Sequence, residues 1–344
     1  MCSLRIFIRS RRQDPSLDHV HEAVQTTWRT VTVDGAAMRV MEVCQPSAQD
    51  AEPLLFLHGW GLSPATYKAG IKQLTSAGIR VIAPALPGFA GSDGPPLRAI
   101  DMPAYAQRIG RLLDVMGIAK PLFVVGHSFG GGVAIQLAAD RPERVRSLTL
   151  VSSVGGAPGK RSGLVSKSWL RWALGSLTEL SPKELTTSAP GLVRAWLPNA
   201  IRRPLTMALT AKLALTVDLA DEANALVSSG MPVLFIWGDA DRLMLPGALG
   251  AVAGNLPAEV VAGRHGWLLT EPEQFATLLR NALVVHAMLE RTQRGQSMLL
   301  PPGTKLADLI PTERRSVEGS RIRRARRAGG AAGHGGSSAQ TTLW

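Results

Sequence analysis

Eight short apolar runs, most of them separated by stretches of helical period, predict an α/β protein: a mostly parallel eight-stranded sheet flanked by helices, with a helical cap insertion. Three observations carry this reading. The runs at 54–57, 122–125 and 233–237 are continuously apolar, as strands covered on both faces of a parallel sheet must be. The connections between runs bear helix signals, such as Asp101 before and Gly117 after one helical stretch. At 122–137, LFVVGHSFGGGVAIQL, the period changes from strand to helix across Gly126-His127-Ser128-Phe129-Gly130.

Residues 1–29 carry no steady period and are expected to be a mobile extension, with His19 and His21 solvated rather than metal-bound for want of a third ligand. Runs at 30–33 and 38–43 flank Asp34-Gly35 and read as a hairpin. The strand at 54–57 leads through His58-Gly59-Trp60-Gly61 to a helix begun by Ser63 and Pro64. The strand at 81–83 enters a loop dense in Pro and Gly at 84–96, after which Asp101 caps a helix to about Met116. Beyond the central turn comes a strand at 145–151, and the alternation to this point implies a mostly parallel sheet with helices on both faces.

The rhythm then breaks. Residues 153–230 hold no convincing strand but show helical patches at 168–177 and 205–219, with Trp169, Trp172 and Trp196. An insertion at this point, at the carboxyl side of the sheet, is expected to cover the ligand site as a cap. Alternation resumes with the strand at 233–237 and its turn Gly238-Asp239-Ala240-Asp241. A helix near 246–254, a strand at 258–261, the loop Gly263-Arg264-His265-Gly266-Trp267 and a helix from 272 to about 290 follow. The core is thus 30–152 and 231–290, and 291–344 is expected to be a disordered basic tail.

A hydrophobic content of 45% over 344 residues suffices for a sizeable core. The net charge of +12 is concentrated at the end: residues 291–344 hold ten Lys and Arg against three Asp and Glu. The basicity therefore says little about what the body binds, and no specific nucleic-acid partner is expected. The segment 314–327, RRSVEGSRIRRARR, is suited at most to weak contact with anionic surfaces. Cys2 and Cys44 are too few for a disulfide framework and lack metal-ligand spacing. The N-terminal segment runs from apolar to arginine, the reverse of a secretory signal, and no apolar run is long enough to span a bilayer; a cytoplasmic location is expected.

The turn at 126–130 has the G-x-S-x-G pattern in which a strained serine stands exposed where a strand hands over to a helix, so Ser128 is the candidate nucleophile. A serine hydroxyl needs a base, and the base needs an acid to hold its tautomer. His265 follows the last strand at the same carboxyl edge. By contrast His58 and His127 adjoin tight turns, His127 directed away from the nucleophile, and His286 lies within the last helix. Asp239 and Asp241 both follow the 233–237 strand and spacing alone does not separate them; Asp93 is a weaker candidate.

GHSFGG around Ser128, HGWG at 58–61, PGFAGSDGP at 87–95, WGDADRLMLP at 237–246 and GRHGWLLTEPEQF at 263–275 together resemble the α/β-hydrolase superfamily, over roughly residues 30–290. The chain order Ser, Asp, His agrees with it. The resemblance implies an α/β-hydrolase fold, Ser128 as nucleophile, His265 as base and Asp241, rather than Asp239, as acid. It implies an oxyanion hole of the Trp60 and Phe129 backbone amides and no metal or organic cofactor. Haloalkane dehalogenases and epoxide hydrolases of this fold use an aspartate where this chain has Ser128, so acyl chemistry remains.

The expected activity is that of a serine hydrolase, carboxylesterase-like, cleaving a small to medium apolar ester through an acyl-enzyme. Trp60, Phe129, Trp169, Trp196 and Trp267 are candidates for the substrate pocket. An acyltransferase, a perhydrolase or a carbon-carbon bond hydrolase would use the same triad, and a silent ligand-binding protein would keep the fold without it.

Overall fold

The computed structural model describes residues 23–156, 189–244 and 258–293. Eight strands form one sheet: β1 (Gln25–Val33), β2 (Ala36–Cys44), β3 (Leu54–Leu57), β4 (Val81–Pro84), β5 (Leu122–His127), β6 (Val145–Val151), β7 (Val233–Gly238) and β8 (Ala258–Val261). Their order is β1-β2-β4-β3-β5-β6-β7-β8. β2 pairs antiparallel with β1 and β4, and every other neighbouring pair is parallel.

The strand order reverses at β3. From β3 the chain crosses by α1 (Lys68–Thr75) to β4 on one side, then returns by α2 (Met102–Val115) to β5 on the other. Such a reversal opens a crevice beyond the carboxyl ends of the strands, where open α/β sheets bind ligands. α3 (Phe129–Asp140) leads on to β6.

Helices on both faces explain the apolar runs. In β3, Leu55 and Leu57 join one buried cluster with α2 and α3, while Leu54 and Phe56 join the other with α1 and α7 (Pro272–Gln293). All four side chains are buried, which an alternating strand could not achieve. α2 begins where expected: Asp101 Oδ1 accepts from the Ala104 amide at 2.8 Å, and Gly117 leaves the helix at φ 71°.

Two boundaries differ from the sequence reading. β1 starts at Gln25, so the N-terminal extension does not reach residue 29. The nine-residue strand pairs from Gln25↔Cys44 to Val33↔Ala36 around a turn with Asp34 at φ 48° and Gly35 at φ 77°. As an edge strand, β1 buries only Val33 fully and so shows no apolar alternation.

The insertion between β6 and β7 also divides. Within its described part, α4 (Ala189–Arg202) and α5 (Pro204–Thr216) pack on each other and on the loops after β3 and β4. α6 (Ala220–Ser228) instead packs on α3, with Ala223 and Leu226 in the sheet's own core. The cap therefore does not extend to residue 230. Helical period reports that a face is apolar, not which layer it meets.

The 168–177 patch with Trp169 and Trp172, the helix near 246–254, His19, His21, Cys2 and the tail segment 314–327 lie outside the described residues. The chain divides into two units, Met1–His286 and Ala287–Trp344. Among the described residues no helix is long and apolar enough to cross a membrane.

Candidate active site

Ser128 stands between β5 and α3 at φ 52°, ψ −117°, a backbone conformation that L-residues rarely adopt. Its surroundings hold it there. The Ser128 amide donates to the Val151 carbonyl at 3.0 Å, and the Ser128 carbonyl accepts from Gly131 at 2.9 Å and Val154 at 3.1 Å. The flanking glycines are required by contact: a Cβ on Gly126 would lie 2.5 Å from the Gly130 carbonyl oxygen, and one on Gly130 would strike the Leu57 and His58 carbonyls. The end of β3 and the start of α3 thus meet backbone to backbone, which sets the His58-Gly59-Trp60 segment beside the serine turn. Phe129 opens α3, so its amide has no partner within the helix.

Asp241 and His265 meet across the β7 and β8 ends. His265 Nδ1 lies 2.9 Å from Asp241 Oδ2, with the Asp241 side chain fully buried. Asp241 Oδ1 is taken by the amides of Leu243 at 3.0 Å and Met244 at 2.9 Å, which fixes the carboxylate plane. Burial pushes the Asp241 carboxyl up, but the His265 charge and hydrogen bond and the Met244 amide together bring it below its ordinary value. An ionised carboxylate only accepts, so Nδ1 carries the proton and Nε2 is left as the basic nitrogen. Asp239 is used otherwise: its Oδ1 accepts from the Gly263 amide at 2.9 Å.

A buried relay underlies the site. The Gly59 amide donates to the Tyr67 hydroxyl at 3.0 Å, the hydroxyl donates to His127 Nδ1 at 2.8 Å, and His127 Nε2 donates to the His265 carbonyl at 3.2 Å. Proton positions follow from the groups: Gly59 can only donate and the His265 carbonyl can only accept. Burial raises the Tyr67 hydroxyl far above its ordinary range and lowers His127 to about 3, so Tyr67 keeps its proton and His127 stays neutral. The His127 and His265 ring centres are 5.0 Å apart. His127 is therefore engaged with the backbone of His265. His58 is neutral too, lowered by burial to about 4: Nε2 accepts from the Leu86 amide at 2.9 Å and Nδ1 donates to the Gly59 carbonyl at 2.8 Å.

The pocket candidates separate. The Trp60 and Trp196 rings meet edge to face at 6.5 Å, and Trp60 Nε1 donates to Thr210 of α5 at 2.9 Å. Phe129 and Trp267 are buried side chains. Phe129 is buried against Phe89 and Tyr105, and Trp267 packs against Phe275 in the cluster on the opposite sheet face. Each takes up core space because it opens a helical segment whose first side chain turns inward. Trp169 lies outside the described residues.

Sequence reasoning missed Tyr67 and Asn199. Asn199 of α4 accepts from the Ala90 amide at 3.2 Å and donates to the Gly61 carbonyl at 3.4 Å, tying the cap to both loops beneath it. Among the described residues no group of three or more His, Cys, Asp or Glu is placed to hold a metal ion.

Residues 54–278 match the model of the Alpha/beta hydrolase family. A dihydrolipoyllysine-residue acetyltransferase component of an acetoin cleaving system from Cupriavidus necator is 31% identical over 286 residues, 79% of this chain and 73% of that protein. Lipase 1 of Psychrobacter immobilis is 27% identical over 226 residues, 61% of this chain and 69% of the lipase. In fold, the chain is similar to a thermophilic esterase from Thermogutta terrifontis, with a TM-score of 0.60 at 21% identity over 76% of this chain and 99% of that one. The match over β3 to β8 and their carboxyl-edge loops, with the relatives' agreement along most of the chain, establishes that this protein belongs to the alpha/beta hydrolase family and is an α/β-fold serine hydrolase.

Proposed function

We propose that the protein hydrolyses small to medium apolar esters through an acyl-enzyme on Ser128. The observation that carries this reading is the His265–Asp241 pair, 2.9 Å apart, presented at the same sheet edge as the strained Ser128 turn. His265 Nε2 takes the hydroxyl proton as Ser128 Oγ bonds to the ester carbonyl carbon. The oxyanion is held by the Trp60 and Phe129 amides. Collapse breaks the carbon–oxygen bond to the alcohol, which leaves with the proton from Nε2. Water then attacks the acyl-enzyme, gives its proton to Nε2, and Ser128 recovers that proton as the acid departs.

The apolar preference rests on Trp60 and Trp196. Hydrogen bonding of Trp60 Nε1 to Thr210 occupies its polar edge and leaves the ring as apolar wall. The lipase relative is in keeping with such a substrate. Purified protein is expected to release p-nitrophenol from short acyl esters and to be labelled by an active-serine phosphonate. Ser128→Ala should abolish both; full turnover in that variant would sink the mechanism.

Transfer of the acyl group to an acceptor other than water is the second reading, favoured by the relative named as an acetyltransferase component. Adding a thiol or alcohol acceptor during ester turnover separates the two: a new ester or thioester in place of free acid marks transfer.

A further inference from the structure

A cleft of about 460 Å³ lies between α4 and the loops after β3 and β4. Four arginines line it, Arg39, Arg194, Arg202 and Arg203, and among the described residues no acidic side chain does. Two of them are committed. Arg39 lies 4.7 Å over the Trp28 ring and donates to the Ala90 carbonyl at 3.3 Å. Arg203 donates to the Ser92 carbonyl at 2.7 Å and pairs with Asp93 at 3.5 Å.

Arg194 and Arg202 have no hydrogen bond or ion pair among the described residues. They are eight residues apart on α4, about 12 Å along its axis and on one face. Arg202, in the last turn, complements the helix dipole, but Arg194 is mid-helix and gains nothing from it. Gathering like charge around a concave surface raises the local potential and favours an anionic occupant. The remaining wall includes Trp28, Ala65, Ala195 and Pro198, and the volume far exceeds that of a bare oxyanion.

We propose that this cleft is a binding site for a small organic anion, its phosphate or carboxylate held by Arg194 and Arg202 and its apolar part lying on Trp28 and Pro198. Guanidinium forks match such oxygens two at a time. None of Ser128, Asp241 or His265 lines the cleft, so the site is separate from the esterase centre. Asn199 does line it and also holds the Gly61 carbonyl beside Trp60, which gives an occupant contact with the segment that braces the cap.

The test is calorimetric titration of the full chain with 1-naphthyl phosphate, 1-naphthol and inorganic phosphate, in the wild type, in Ser128→Ala, and in Arg194→Gln/Arg202→Gln. The ester turnover of the double variant serves as its folding check. Naphthyl phosphate should bind the wild type and Ser128→Ala alike, more tightly than naphthol or inorganic phosphate, and more weakly as salt rises. The double variant should turn over esters normally yet bind it about tenfold more weakly or worse. Undiminished binding in the double variant would place the anion on another basic segment such as 291–344. Loss of binding after phosphonate labelling of Ser128 would place it in the esterase centre. Either result, absence of wild-type binding, or inorganic phosphate binding equally well overturns the proposal.

Discussion

Asp239 and Asp241 stand two residues apart on one turn, yet their carboxylates serve different partners. Asp241 faces His265 Nδ1, whereas Asp239 braces the Gly263 amide. Asp241→Asn should therefore lower kcat by about 10³ to 10⁴, because an amide can favour the wrong imidazole tautomer. Asp239→Asn should cost no more than a few-fold; equal losses would mean that both carboxylates act only as scaffolding. Tyr67→Phe removes one hydroxyl but strands the Gly59 amide and His127 Nδ1, each at about 1–3 kcal/mol. Urea melts should show that loss, with kcat falling more than KM rises, and an unchanged melt would remove the relay from the account. Ser128 and His265 stand out in the sequence as candidates because local chain context marks them: a glycine-bounded turn for one, a strand-end loop for the other. Asp241 was separated from Asp239 only by family resemblance, since what distinguishes them is where each carboxylate points. Tyr67 carried no signal at all, as its value comes from His127, sixty residues away in sequence.

Elements show the same division between local and distant information. Strands β3 to β7 are legible because burial on two faces leaves an apolar run, whereas the sequence shows only 30–33 of β1 because only Val33 of its nine residues is buried. The sequence places α6 with the cap because nothing in a helical period names its partner, which in the structure is α3. The serine turn joins elements so closely that its glycines are structural necessities. A methyl group at Gly130 would collide with the Leu57 and His58 carbonyls, which are backbone and cannot rotate aside. Gly130→Ala should lose about 3 kcal/mol or more of unfolding free energy, the upper end of overpacking costs. Because relief would push β3 away from α3 and shift Trp60 with it, ester turnover in the surviving folded fraction should fall as well. Native turnover per folded molecule, measured after titration with a phosphonate label, would show that the β3–α3 contact does not set the Trp60 and Phe129 amides for turnover.

Across the molecule, the buried imidazoles make stability depend on pH. Burial lowers His58 to about 4, His127 to about 3 and His286 to about 4. The neighbours of His127 do not reverse this: the charges of His265 and His58 lower it further, and the His265 carbonyl and Asp241 only partly offset the burial. In the unfolded chain each imidazole titrates near 6.5, so below that pH the unfolded state takes up protons that the folded state refuses. The stabilisation is fully present above about pH 6.5 and is lost as pH falls toward 4. Each fully engaged imidazole contributes a slope of about 1.4 kcal/mol per pH unit, so three together approach about 4 kcal/mol per unit. Asp241, held below its ordinary value, adds a loss of the same sign at still lower pH. Urea denaturation between pH 7 and pH 5 should therefore show a steep fall in midpoint. His127→Gln should flatten that fall by about one imidazole's share, a change in slope that mere loosening of the relay would not produce. A midpoint constant over that interval would mean that these rings reach water in the folded state. The packing that encloses His265, the serine turn and the Trp60 segment would then be looser than the distances here require.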